Sequence, residues 1–201
     1  MPTLMTTFPK STVKEAELLP EIATRKSLRA YSTQPLTDGA LKSLFEAARW
    51  APSSSNEQPW VYVYATAEQP ELHKKIASTL VEANAVWATR APLLIVAMVR
   101  TAFIRNGKPN VSAKYDLGAA NAFLTLQATQ LGLNVHQMGG FEKEKAIALL
   151  NIPETHEPVV VMAIGYPDSP EILPDNLKER ELALRERYTQ EAFVLNDVFP
   201  E

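Results

Sequence analysis

The segment Arg49-Trp50-Ala51-Pro52-Ser53-Ser54-Ser55-Asn56-Glu57-Gln58-Pro59-Trp60 closes an amphipathic helix, crosses a polar loop and opens a strand. Upstream, Thr37 is the expected N-cap and Asp38 a first-turn charge, and Leu41, Leu44, Phe45 and Ala48 recur at helical spacing. Pro52 cannot continue a helix, because it has no N–H to donate. Downstream, Trp60-Val61-Tyr62-Val63-Tyr64 has the β-branched and aromatic content of a strand. Between them, three serines and an asparagine offer hydroxyl, amide and backbone donors. Two readings stay open for the loop: an ordinary turn, or a cradle for an anion.

Working outward, helices are expected over Pro20 to Thr24, Asp38 to Trp50, Pro70 to Glu82, Tyr115 to Leu131 and Glu142 to Leu150. The fourth is expected to be the buried central helix. Leu117, Asn121, Leu124, Ala128 and Leu131 form one stripe, Ala119, Ala120 and Ala122 allow close packing, and Gly132 suits a C′ position. Strands are expected at Val61 to Ala65, Leu93 to Val99, Asn134 to Met138 and Val159 to Ile164. The second and fourth are unbroken apolar runs, which implies burial on both faces. Helices alternating with short strands indicate an α/β or α+β protein whose sheet is sandwiched by helices.

The 201 residues are 46% hydrophobic and contain no cysteine, so one packed domain over residues 1–201 is expected, without disulfides or thiolate chemistry. About 1–20 reads as an N-terminal extension and about 188–201 as a C-terminal arm. Formal net charge is -3, which gives no overall attraction to nucleic acid. The longest apolar run, Ala91 to Val99, is far short of a bilayer span, and Met1 to Lys10 does not read as a secretion signal. A cytoplasmic location is therefore expected, with no membrane partner. The histidines show no metal-ligand spacing. His73 is expected to be solvated on a helix, His136 to be a satisfied core residue, and His156 to lie in a loop.

Signatures of dinucleotide folds, P-loops, serine hydrolases and zincins are absent. What stands out instead is Arg25-Lys26-Ser27-Leu28-Arg29. In extended chain its alternate residues Arg25, Ser27 and Arg29 share a face, so two guanidinium groups and a hydroxyl can meet one anion. A second pair, Arg185 and Arg187, has the same alternate spacing. The closing arm carries Phe193, Val194, Leu195, Val198 and Phe199, which need a surface to cover. A partner subunit or the chain's own domain can provide it, and the partner is the expectation.

Arg25-x-Ser27-x-Arg29, the Pro52 to Trp60 loop and Arg185-x-Arg187, in this order and spacing, resemble the FMN-dependent nitroreductase family. The helix Tyr115 to Leu131, the turn Met138-Gly139-Gly140-Phe141 and the run Val159 to Pro167 are similar too. The resemblance implies an α+β fold with a central, mostly antiparallel sheet sandwiched by helices. It further implies a homodimer that exchanges C-terminal arms and holds FMN at the subunit interface. Carried over, Arg25, Arg185 and Arg187 grip the FMN phosphate, Ser27 hydrogen-bonds beside it, and Lys26 contributes backbone. Arg29 stands at the pyrimidine end of the ring. Pro52, Ser53, Ser54 and Asn56 reach the same flavin from the other subunit, and Gly139 and Gly140 let backbone approach it. A carboxylate precedes the glycine in a number of members, where this chain has Gly139-Gly140.

The implied activity is hydride transfer from NAD(P)H through FMN to a nitroaromatic, a quinone or a similar small planar acceptor. No catalytic side chain is needed, because the flavin carries the chemistry. Alternatives are a non-catalytic FMN carrier or sensor, and a specialised reductase or dehalogenase of one metabolite. From Ala83 to Tyr115 there is no Asp or Glu, which suggests a basic lid. In it Phe103 would cover a planar ligand while Arg105 and Lys108 attract a nucleotide phosphate.

Overall fold

The computed structural model of the chain describes residues 9–198. Its frame is a four-stranded antiparallel sheet in the order β2-β3-β5-β4, formed by β2 (Trp60–Thr66), β3 (Leu93–Arg100), β4 (Asn134–Met138) and β5 (His156–Gly165). Val63 pairs with Val96, and Val161 pairs with both Val96 and Met138. In β3, side chains alternate between faces, and both faces are dry. Leu93, Ile95, Ala97 and Val99 pack under α2 (Asp38–Arg49) and α5 (Ala113–Gln130). Leu94, Val96 and Met98 pack on the other face, with α3 (Pro70–Ala77), α4 (Glu82–Ala88) and α6 (Lys143–Leu150). Helices on both faces explain why β3 is apolar from Leu93 to Val99, and antiparallel pairing settles the class as α+β.

The helix before the opening loop forms as its pattern predicts. Thr37 Oγ1 accepts from the Ala40 N–H at 3.1 Å, and Ala40, Leu44 and Ala48 are buried. On α5, Leu117, Asn121, Leu124 and Ala128 are buried, while Leu131 caps the helix and Gly132 takes φ of 73°. That left-handed geometry is what a glycine after a helix supplies.

Three expectations are corrected. The helix expected over Pro70 to Glu82 is two helices, α3 and α4, separated at Ser78–Val81. Ser78 Oγ donates to the Lys75 carbonyl and Thr79 Oγ1 to the Ile76 carbonyl, so side chains take over acceptors at the end of the helix. His156 is not in a loop but begins β5. The strand starts before its apolar run because a bulge between Ala97 and Met98 shifts the register, and Pro158, which has no N–H, sits at that irregularity. His73 is half-buried rather than solvated, with Nε2 2.8 Å from the Ala91 carbonyl oxygen.

Beyond the sheet, α1 (Pro20–Thr24) leads into residues 25–31, which pass beside the edge strand β4, where His136 Nδ1 lies 3.0 Å from the Leu28 carbonyl oxygen. After β5, α7 (Asp175–Leu182) absorbs the charged run Lys178 to Glu181, and Leu177 and Glu181 are buried. The arm begins by docking on its own chain: β1 (Lys10–Ser11) and β6 (Arg187–Tyr188) pair antiparallel. Farther on, Phe193, Val194, Leu195 and Val198 are exposed, while Phe199 and the start of the N-terminal extension lie outside the described residues. No described helix is long and apolar enough to cross a membrane.

Candidate functional site

Arg25, Ser27, Arg185 and Arg187 come together although 160 residues separate the first and third in sequence. Together with Lys26, Arg180 and Glu181 they line a cavity of about 210 Å³. Arg25 Nη1 donates to Ser27 Oγ at 3.1 Å. Burial, followed by the like charges of Arg185 and Arg187, holds the Arg25 guanidinium below its ordinary pKa. Among the described residues no salt bridge joins a carboxylate to these three arginines. Like charges gathered without a counter-ion cost free energy that an anion would recover. Arg185 is less free than the sequence suggested, since its guanidinium donates to the backbone carbonyls of Ala23 and Arg25.

Arg29 departs from the shared face expected for Arg25, Ser27 and Arg29. Its guanidinium lies 3.7 Å from Glu181 Oε2 and 5.8 Å from the Trp87 ring centre. Trp87 also packs on His136, with ring centres 4.5 Å apart. Burial, the largest cause, and nearby Arg29 press the His136 pKa down from its ordinary 6.5, against hydrogen bonding to Leu28 and the charge of Glu181. Below about pH 6.5 the unfolded chain takes up a proton here that the folded chain resists, so this residue's contribution to stability falls as pH drops. Denaturant unfolding of His136→Gln is expected to show a shallower loss of stability on acidification than the parent protein. An equal slope contradicts the assignment.

The Pro52 to Trp60 loop is conformationally expensive. Ser55, Asn56 and Gln58 all have positive φ, between 48° and 55°, with none of them glycine. Two local hydrogen bonds and one long-range one hold it: Gln58 N–H donates to Ser53 Oγ at 3.0 Å, Gln58 Nε2 to Asn56 Oδ1 at 3.1 Å, and, from across the chain, Ser54 N–H to Asp116 Oδ2 at 3.1 Å. Glu57 ties the loop to the expected lid. Its carboxylate accepts from the Ile104 N–H at 3.0 Å and lies 3.8 Å from Arg105 Nε, while Arg105 stacks over Phe103 at 5.0 Å. Arg105 and Lys108 are both exposed. The Arg105 charge is thus shared with a neighbour, which tempers the purely basic lid.

The two glycines after β4 differ. Around Gly139 a side-chain β-carbon would meet nothing within 4 Å, so one edge of the turn is open. At Gly140 the same carbon would fall 2.8 Å from Asn84 Nδ2, and the Gly140 carbonyl accepts from Asn84 Nδ2 at 2.9 Å. Gly140 therefore has a packing reason against the start of α4, whatever approaches the turn from outside.

Within one chain these pieces are split. The polar loop leads into β2 at one edge of the sheet, whereas residues 25–31 and Gly139 flank β4 at the other. Three inter-strand spacings of about 4.8 Å put roughly 14 Å of sheet between the edges.

The family model described as the nitroreductase family matches residues 22–166. The chain belongs to that family. A solved oxidoreductase containing FMN is 33% identical, with a TM-score of 0.88 over 94% of this chain and 96% of the other. FMN reductase [NAD(P)H] of Bacillus subtilis is 28% identical over 168 residues, covering 75% of this chain and 66% of that protein. A protein of Archaeoglobus fulgidus is 28% identical over 155 residues, 75% of this chain and 86% of its own length, and its name carries the words NADH dehydrogenase/NAD(P)H nitroreductase.

Three carboxylates in this member of the nitroreductase family escaped the reading of its sequence: Glu57, Asp116 and Glu181. Each binds backbone N–H groups of a segment distant in the chain. No local pattern marks such partners. Glu181 stands in a charged run, where nothing local separates the carboxylate that turns inward from those that face solvent.

Proposed function

We propose that this chain is an FMN-dependent oxidoreductase that passes hydride from NAD(P)H to a small planar acceptor, such as a nitroaromatic or a quinone. The observation that carries the reading is the gathering of Arg25, Ser27 and Arg187 around one cavity without a carboxylate partner. That donor set fits a phosphate monoester, which arginines bind by charge-assisted hydrogen bonds. Open space beside Gly139 fits the close approach of a flat ring. Bound FMN supplies hydride transfer, which no protein side chain can perform.

The chain's own residues have binding and shaping roles. Arg25 and Arg187 neutralise the phosphate, Arg185 supports them, and Lys26 borders the cavity. Arg29, held by Glu181 and Trp87, brings positive charge toward the ring's pyrimidine end. Ser53, Ser54 and Asn56, with Pro52 rigidifying their loop, serve the flavin of a second subunit, because the opposite sheet edge separates them from their own chain's basic cluster. A homodimer also gives cover to apolar side chains exposed on and beside α2 and α5: Trp50 at 69%, Val111 at 92% and Tyr115 at 83%.

Phe103, Arg105 and Lys108 form the substrate side. The Glu57 pair leaves Arg105 more than half exposed, and such pairs are weak enough for the side chain to turn to a ligand. Arg105→Ala combined with Lys108→Ala is expected to raise KM for NADH or NADPH several-fold while kcat changes less. Unchanged KM values for both nucleotides would remove these residues from the substrate site.

The deciding experiment is to purify the protein, record a flavin spectrum, and add NADH or NADPH without oxygen. Bleaching, followed by recovery of colour with a nitroaromatic or quinone, is expected. A protein that is colourless and cannot be reconstituted with FMN sinks the proposal, and a yellow protein that resists reduction makes it a flavin binder instead.

A further inference from the structure

Two side chains from α7 and the segment after it grip the backbone of residues 23–30 on either side of the basic cavity. Glu181 Oε1 accepts from the N–H groups of Arg29 and Ala30 at 2.8 and 3.0 Å, and Oε2 accepts from Arg29 N–H at 3.0 Å. Its side chain is 3% exposed. Four residues on, the Arg185 fork donates to the carbonyls of Ala23 and Arg25. Arg25 is thus held at its own carbonyl, and Lys26 and Ser27 lie between the two sets of anchor points. Glu181 is also an acidic group in the wall of an otherwise basic cavity.

We infer that Glu181 and Arg185 are positioning residues, which clamp the 23–30 backbone so that Arg25 and Ser27 are aimed, beside Arg187, at the phosphate before it arrives. This rests on the FMN reading above and adds to it a division of labour. Arg185 acts mainly as a strut, because both ends of its fork are occupied by backbone carbonyls. Glu181 is kept in the cavity wall despite its sign, since two backbone N–H groups and the Arg29 guanidinium use its charge. Preorganisation of this kind raises affinity by removing the ordering that the ligand would otherwise impose.

The inference predicts a sign that simple electrostatics reverses. Removing a negative charge beside a phosphate site tightens anion binding if charge alone matters. If the carboxylate holds the backbone, its removal loosens binding. FMN and riboflavin dissociation constants are therefore measured on the full-length apoprotein for the parent, Glu181→Gln, Arg185→Lys and Glu179→Gln, together with apoprotein unfolding temperatures. Glu179 is an exposed carboxylate on the same helix and controls for charge. Glu181→Gln is expected to weaken FMN by about tenfold or more, and Glu179→Gln to leave it unchanged or slightly tighter. Arg185→Lys keeps the charge but cannot fork to two carbonyls, so it too is expected to weaken FMN by about tenfold.

Riboflavin has the ring and ribityl chain without the phosphate, so the FMN-to-riboflavin affinity ratio is expected to fall in both variants. Tighter FMN binding by Glu181→Gln overturns the inference, as does parent-like FMN binding by Arg185→Lys. Equal losses for the two ligands also overturn it, because they indicate support of the fold alone. Should Glu181→Gln unfold, Arg185→Lys decides the matter. A parent apoprotein that binds neither ligand overturns the FMN reading itself, and this inference with it.

Discussion

Arg25→Ala is expected to release FMN, with the dissociation constant rising about ten- to a hundredfold. A hydrogen bond to a charged group is worth about 1.5–3 kcal/mol, and each 1.4 kcal/mol is a factor of ten in affinity. Arg25 sits where residues 25–31 leave α1, half-buried beside Arg185 and Arg187, with its guanidinium on Ser27. Alanine removes the member of the cluster whose charge its neighbours already disfavour, so the apoprotein can gain a little stability while the holoprotein loses its ligand. Those opposite signs separate a binding role from a structural one. Fluorescence titration of the apoprotein with FMN, beside thermal unfolding without ligand, measures both. Unchanged FMN affinity would remove Arg25 from the site.

Truncation of the chain after Arg187 is expected to have the second large effect, losing dimer and flavin together. Phe193, Val194, Leu195 and Val198 are exposed on the single chain, though full burial of such side chains is worth about 1.5–3 kcal/mol each. On a second subunit they would contribute on the order of several kcal/mol to association, after the cost of docking is met. The cut also deletes Tyr188, the partner of Lys10 in the two-stranded β1–β6 ribbon, and so loosens Arg187 in the basic cluster. Sedimentation of the truncated protein reads the assembly, and its visible spectrum reads the flavin. If the shortened chain remains dimeric and yellow, the arm is not the clasp proposed for it.

Much of the frame could be read from local pattern. Thr37 caps α2 as expected, the apolar stripe of α5 is buried, and the unbroken run Leu93 to Val99 has helices against both faces. These features depend on neighbours within one or two turns, where periodicity and capping act. The misreadings came from competition within the chain or across it. Ser78 and Thr79 end α3 by bonding back to its carbonyls, which an apolar pattern continuing through Leu80 conceals. His156 enters β5 because a bulge accommodates Pro158, and a bulge is a property of the pairing with β3.

The site divides along the same line. Alternate spacing put like groups on one side within Arg25-x-Ser27 and within Arg185-x-Arg187, but that the two motifs meet was implied only by the family resemblance, and it is folding that brings them to one cavity. The direction of Arg29 was beyond such reasoning. Glu181, 152 residues away, binds its N–H and draws its guanidinium inward. Glu57 was part of the quoted loop, yet its link to Ile104 depends on two loops meeting beyond the ends of β2 and β3.

By itself, the sequence determined the class of elements, the loop between α2 and β2, and the basic residues available to an anion, since these follow from side-chain chemistry and short-range spacing. Tertiary structure decided which of those residues gather around one cavity and which are tied to backbone groups. A carboxylate or guanidinium takes its role from the backbone groups that folding brings within about 3 Å of it, and those groups come from distant parts of the chain.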